Sequence, residues 1–237
     1  MADGQGEAGA GGGWKTNLLA ALVGLTIGVG GMLMANGYFI RSYLLEHPEI
    51  LPEAMERLRT RESAALIDRN RAALETPFHS AWAGAADSDV VLVEFFDYAC
   101  SFCRASNADV ARLLREDPRL KVVWREYPVL GPDSEQAAIA SLAAARAGRF
   151  REFHDGLFAT ARPTPTAVEA ARAGVGLPPS PATEEFRQEI RRNEALARSI
   201  GASGTPVFVI GDEVILGAVG YDALRRAIAN ARAAASS

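Results

Sequence analysis

Residues Val90 to Arg104 read V-V-L-V-E-F-F-D-Y-A-C-S-F-C-R and carry the chain's two cysteines, Cys100 and Cys103, in a C-x-x-C. Val90 to Phe96 is β-branched and aromatic, holds no glycine or proline, and reads as a buried strand. After Cys103, Val110, Leu113 and Leu114 recur at helical spacing, and Pro118 closes the run. Cys100 therefore falls at or just before the first turn of a helix. Free N–H groups and the positive end of the helix dipole stabilise a thiolate there. The expectation is a thiol of lowered pKa at Cys100 and a good leaving group. Cys103, one turn along, lies on the same side and can close a disulfide.

Other uses of the pair are weaker on physical grounds. Zinc asks for four ligands, no third cysteine exists, and His47, His79 and His154 are scattered singly, so no metal site is expected. An inert structural disulfide across so short a loop gains little chain entropy. A Cu(I) site using both thiols as soft ligands is a non-enzymatic alternative. It ranks below redox chemistry because Met1, Met32, Met34 and Met55 all lie far to the N-terminal side. Redox exchange leads, with the Cys100–Cys103 disulfide in place of any cofactor. Glu94 bears on this. An acid inside V-V-L-V-E-F-F is costly to bury unless it is neutral or paired. Either it lies beneath the disulfide with a raised pKa and handles the proton of Cys103, or it turns to solvent at a sheet edge. His154 sits on an expected helix and reads as a packing or surface residue.

The segment E-F-F-D-Y-A-C-S-F-C resembles the active-site stretch of DsbA-type thiol-disulfide oxidoreductases, within the thioredoxin superfamily. G-T-P-V-F-V-I-G, from Gly204, resembles that family's cis-proline loop, and G-R-F-R-E-F-H-D-G-L-F, from Gly148, a helical stretch common in it. The resemblance spans roughly Phe78 to Ala233. It implies an α/β thioredoxin fold with an inserted helical subdomain over about residues 133–200 that caps the active-site side. It also implies Glu94 as the acid six residues before Cys100, a cis Thr205–Pro206 peptide, and Thr205 and Pro206 holding an extended substrate segment. Ser101 and Phe102 stand where the best-known oxidases carry Pro-His, and these positions tune Cys100. The implied activity is disulfide exchange with cysteine-containing protein substrates, as a DsbA-type oxidase. An oligomeric isomerase or reductase is the alternative. An oxidase implies a quinone-linked membrane partner, and the alternative a reducing one.

Around this core the chain of 237 residues is 49% hydrophobic and 23% charged, with a net charge of −4. That balance argues against nucleic acid as a partner. Residues 1–15 are Gly- and Ala-rich and expected to be disordered. Residues 16–40 form an uncharged run, read as a transmembrane signal anchor or a cleaved signal peptide with a small-residue site near Ala35-Asn36-Gly37. Gly24 and Gly28 make a G-x-x-x-G within it. Residues 41–76 are expected to form a helical stalk, either a spacer or an oligomerisation device, and 77–237 the thioredoxin domain. Leu44, Leu51, Leu58 and Ala65 fall seven apart, but Pro48, Met55 and Glu62 break the companion positions of a heptad. An oxidising thiol catalyst works where disulfides persist, so the domain is expected in the bacterial periplasm or another extracytoplasmic space. Phe78 to Trp82 reads as a short first strand, Leu120 to Glu126 as a strand parallel to Val90–Phe96, Pro206 to Leu216 as a hairpin, and Tyr221 to Ala233 as a closing helix.

Overall fold

The computed structural model describes residues 21, 22, 25, 39–179 and 182–236. Most of the apolar run at 16–40, including Gly24, Gly28 and the Ala35 site, lies outside the described residues, as does the expected disordered start. Among the described residues no helix is long and apolar enough to cross a membrane. The chain divides into two compact units, Met1–Leu58 and Arg59–Ser237.

In the first unit, residues 39–46 are helical and residues 47–49 break the helix before α1 (Ile50–Glu75) begins. Pro48 sits in the break and Pro52 in the first turn of α1, where a missing N–H costs no hydrogen bond. Leu45, Leu51, Met55 and Leu58 are all exposed in this unit.

The second unit takes in the rest of α1, because Ile67 and Leu74 are buried in its core. Residues 59–75, expected as stalk, thus pack as part of the catalytic unit. Its sheet contains β1 (Trp82–Gly84), β2 (Val90–Phe96), β3 (Leu120–Glu126), β4 (Val207–Ile210) and β5 (Glu213–Leu216), in the order β1-β3-β2-β4-β5. Helix α2 (Ser101–Glu116) joins β2 to β3, which run parallel with Glu94 beside Trp124 and Phe96 beside Glu126. On the other side β4 pairs antiparallel with β2, placing Phe208 opposite Glu94.

Alternation assigns the two faces. Leu92, Phe96, Trp124, Phe208 and Ile210 enter one core, and Val93, Phe95, Val123, Val207 and Val209 the other. A central strand covered on both sides reads as a continuous apolar run, which is why V-V-L-V-E-F-F shows no polar alternation. The β4–β5 hairpin turns at Gly211-Asp212. Gly211 has φ +58, and a Cβ there would stand 2.8 Å from that of Ala231.

The first strand lies later than expected, at Trp82–Gly84 rather than Phe78–Trp82. Ser80 donates to the Ala145 carbonyl from both its N–H (3.2 Å) and its hydroxyl (2.8 Å), and His79 adopts φ +47. That turn delays the pairing with β3 until Trp82. Among the described residues four helices form the insertion between β3 and β4: α3 (Pro132–Arg146), α4 (Phe150–Phe158), α5 (Pro165–Gly174) and α6 (Glu184–Ser199). Thr164 and Thr183 cap α5 and α6 by accepting from Ala167 N–H (3.2 Å) and Phe186 N–H (3.4 Å). Helix α7 (Tyr221–Ala235) closes the chain against α2 and β2.

Candidate active site

Strand β2 ends beneath the first turn of α2, and that junction builds the site. Cys100 is the N-cap residue of α2, with extended backbone (φ −78, ψ 118), and its N–H donates to the Asp97 carbonyl at 3.0 Å. Its thiol makes no capping bond to the helix N–H groups. It points across to the cis-proline loop and donates to the Thr205 carbonyl at 3.4 Å. The Thr205–Pro206 peptide is cis. Proline leaves that position without an N–H, and the Pro206 carbonyl is taken by Gly217 N–H at 2.9 Å. Cys103, one turn along α2, is fully buried, and both cysteines are free thiols.

Glu94 is buried beneath them rather than at a sheet edge. Burial pushes its pKa up to about 8, against the opposing pull of a hydrogen bond donated by Trp124 Nε1–H (3.0 Å) and of the Arg151 guanidinium. Burial first, and the Glu94 charge second, push the Cys103 thiol far above its ordinary value. The site thus pairs a sulfur that resists carrying charge with an acid that holds its proton at neutral pH.

Ser101 and Phe102 lie in the exposed first turn of α2, with Phe102 63% exposed. Phe102, Val129, Leu130, Gly204 and Thr205 surround Cys100 in a groove of about 490 Å³. Among the described residues no group of three or more His, Cys, Asp or Glu side chains is gathered to hold a metal ion.

His154 proves to be a packing residue of α4. It is buried against Phe96, Phe150 and Phe158, with ring centres 4.9, 5.1 and 4.8 Å away. Its Nδ1 lies 3.2 Å from the Tyr98 hydroxyl and its Nε2 3.3 Å from Asn107 Oδ1. Burial holds its pKa well below the usual imidazole value, so it is neutral.

A model of the DsbA-like thioredoxin domain matches residues 91–229, from within β2 into α7. The chain belongs to the DsbA-like thioredoxin domain family. This is a family of thiol-disulfide oxidoreductases, and the match takes in the C-x-x-C, the insertion and the cis-proline loop. A periplasmic thioredoxin-like protein of Salmonella enterica serovar Typhimurium is 31% identical with a TM-score of 0.65, over 69% of this chain and 95% of that one. A linker-deletion mutant of Proteus mirabilis ScsC is 25% identical with a TM-score of 0.70, over 96% of this chain and 99% of that one. Residues 37–65 match the N-terminal domain of the copper resistance protein ScsC. Among curated proteins, the Na(+)/H(+) antiporter NhaA 3 of Salinispora tropica is 31% identical over 166 residues, 64% of this chain and 24% of that protein. The match therefore spans a quarter or less of the length of the curated relatives, 24% of two and 13% of three.

Three buried polar residues at the ends of β2 and β3 escape a reading of the sequence. Asp97, just past β2, resembles an ordinary turn former; Arg125 and Glu126, at the end of β3 before Tyr127-Pro128, resemble a strand emerging into water. All three are buried. Arg125 donates to the carbonyls of Ala73, Leu74 and Thr76 at the end of α1 and to Glu189 (3.3 Å) and Asn193 (2.9 Å) of α6. Glu126 leaves one carboxyl oxygen without a partner, and burial pushes its pKa well above the carboxylate range. For the last two a signal was present: R-E-Y-P follows L-K-V-V-W, apolar but for Lys121, in a strand whose expected parallel neighbour is apolar but for Glu94.

Proposed function

We propose that this protein is an extracytoplasmic disulfide oxidase that exchanges disulfides with cysteine-containing protein substrates through Cys100 and Cys103. The observation that carries the reading is the buried Glu94 beneath a buried Cys103. In the oxidised protein a substrate thiolate attacks Cys100 Sγ, the Cys100–Cys103 bond breaks, and the electron pair goes to Cys103. Cys103 cannot keep that charge in its buried position, and Glu94 supplies the proton. A second thiolate of the substrate then attacks the substrate sulfur of the mixed disulfide. Cys100 leaves as a thiolate at the N-terminus of α2, where the dipole favours negative charge. Ser101 and Phe102 tune that leaving group. Thr205 and Pro206 hold the substrate backbone beside Cys100 in extended form. A quinone-linked membrane protein reoxidises the pair, and residues 16–40 tether the domain to the membrane or direct its export. The periplasmic Salmonella relative supports the location.

The test is oxidation of a dithiol peptide by the full chain. Cys100→Ala should abolish it, and full activity in that variant would refute the mechanism. The redox state of the pair in growing cells, read by acid quench and alkylation, then gives direction. A pair held mostly as disulfide supports the oxidase.

A second reading is favoured by the ScsC-type match over residues 37–65 and by the exposed Leu51, Met55 and Leu58. It is an oligomeric isomerase or reductase, joined through the N-terminal helical segment and kept reduced by a membrane partner. Sedimentation of the part that begins at Arg41 beside one that begins at Arg59 tests it. Because Ile67 and Leu74 belong to the catalytic core, the cut must precede them. Monomers in both cases would exclude this reading. The Cu(I) reading ranks below both, and a stoichiometric, tight Cu(I) complex without exchange activity would raise it.

A further inference from the structure

The three exposed apolar side chains around Cys100 come from two places. Phe102 is carried on α2, while Val129 and Leu130 belong to the loop between β3 and α3. Helical hydrogen bonds hold the first. The loop has no such ladder, yet it keeps two large apolar side chains in water, 44% and 55% exposed. What fixes it is one buried side chain. Asp97 Oδ2 accepts from Val129 N–H at 2.9 Å and from Leu130 N–H at 3.0 Å, while its Oδ1 accepts from Ala99 N–H at 2.8 Å. Both oxygens face N–H donors, a pattern that only a carboxylate satisfies in full. The same residue's carbonyl receives Cys100 N–H. One residue therefore ties the approach to Cys100 and the opposite lip of the groove to a single point. Among the described residues no charged side chain lines that groove.

We propose that Asp97 is a positioning residue for substrate binding, which sets the Val129–Leu130 lip beside Cys100 so that an extended, uncharged, apolar segment flanking a client's cysteine is seated there. This rests on the reading of the site as a disulfide exchanger with protein substrates, and it names the kind of segment that reading requires. An Asp at this position contributes no atom to the exchange. It acts by placing the apolar surface that a peptide touches and a small thiol does not.

The test compares two reductants on the full oxidised chain: a dithiol peptide with apolar residues beside its cysteines, and dithiothreitol. Asp97→Asn puts an NH₂ group against N–H donors and releases part of the lip. The expected result is a rise in KM for the peptide of about tenfold, the equivalent of one charge-assisted hydrogen bond at about 1.4 kcal/mol per factor of ten, with kcat within about twofold. The dithiothreitol rate should move far less. Leu130→Ala should reproduce the split, and the double variant should add little to either single change, because both act through the same lip. If Asp97→Asn does not fold, Val129→Pro takes its place. It deletes one of the three donors, keeps Asp97, and must show the same split. Equal losses with both reductants, no rise in KM, or full additivity with Leu130→Ala would overturn the proposal. A wild-type chain inert towards both reductants would overturn the exchange reading itself.

Discussion

Glu94→Gln is the most informative single change, because the structure fixes the sign of its effect. Gln keeps the shape and can still accept from Trp124 Nε1–H, but it does not titrate. The folded-state pKa of Glu94 is raised from 4.5 to about 8. Between those values the folded protein holds a proton that the unfolded chain has released, so stability is lost as pH rises through that window. The span is 8 − 4.5 = 3.5 units. At about 1.4 kcal/mol per unit, the wild type should lose roughly 5 kcal/mol against the Gln variant between pH 4.5 and 8. Urea unfolding of both reduced proteins across that range measures it, and the difference between the two curves cancels every other titrating group. The same variant cannot protonate Cys103 as it leaves. Single-turnover oxidation of a dithiol peptide at pH 7 should slow by about 100-fold, the lower end of what a positioned acid contributes. Parallel stability curves would refute the buried, raised-pKa acid. A pH-dependent gap with an unchanged exchange rate would leave the acid buried but remove it from the mechanism.

Two further outcomes follow from the geometry. Cys103→Ala should accumulate mixed disulfides between Cys100 and client proteins, visible as bands that collapse on reduction, since the internal thiol that reverses the first step is gone. Arg125→Met should destabilise the fold by about 3–5 kcal/mol in urea, because it uncovers three carbonyls at the end of α1 and leaves the buried Glu189 with Arg192 as its remaining guanidinium partner.

How much of this was legible beforehand depends on where each group's partners lie in the chain. β2, α2 and β3 came out at Val90–Phe96, Ser101–Glu116 and Leu120–Glu126 because local pattern governs them: a β-branched run, apolar residues at helical spacing, a proline stop. Glu94 was legible as an anomaly, an acid in a run with no polar alternation. Asp97 and Arg125 were not. The first binds Val129 and Leu130 N–H groups more than thirty residues away and the second binds carbonyls about fifty residues back, so the sequence beside each does not name these partners. The displacement of β1 has a similar origin, in a turn fixed by the distant Ala145 carbonyl. The stalk was only half legible. Its helical character shows in composition, but the burial of Ile67 and Leu74 depends on the sheet beneath them.

The contact between Cys100 and Thr205 joins positions 105 residues apart. The loop that holds Thr205 leads into β4 and is made only after α2, β3 and the helical insertion. A growing or newly exported polypeptide therefore displays its C-x-x-C long before the surface that makes it selective exists. During that interval its two sulfurs are ordinary cysteines, open to whatever oxidant the compartment holds. Its own maturation is then timed by the arrival of the Thr205–Pro206 loop rather than by the synthesis of its reactive pair.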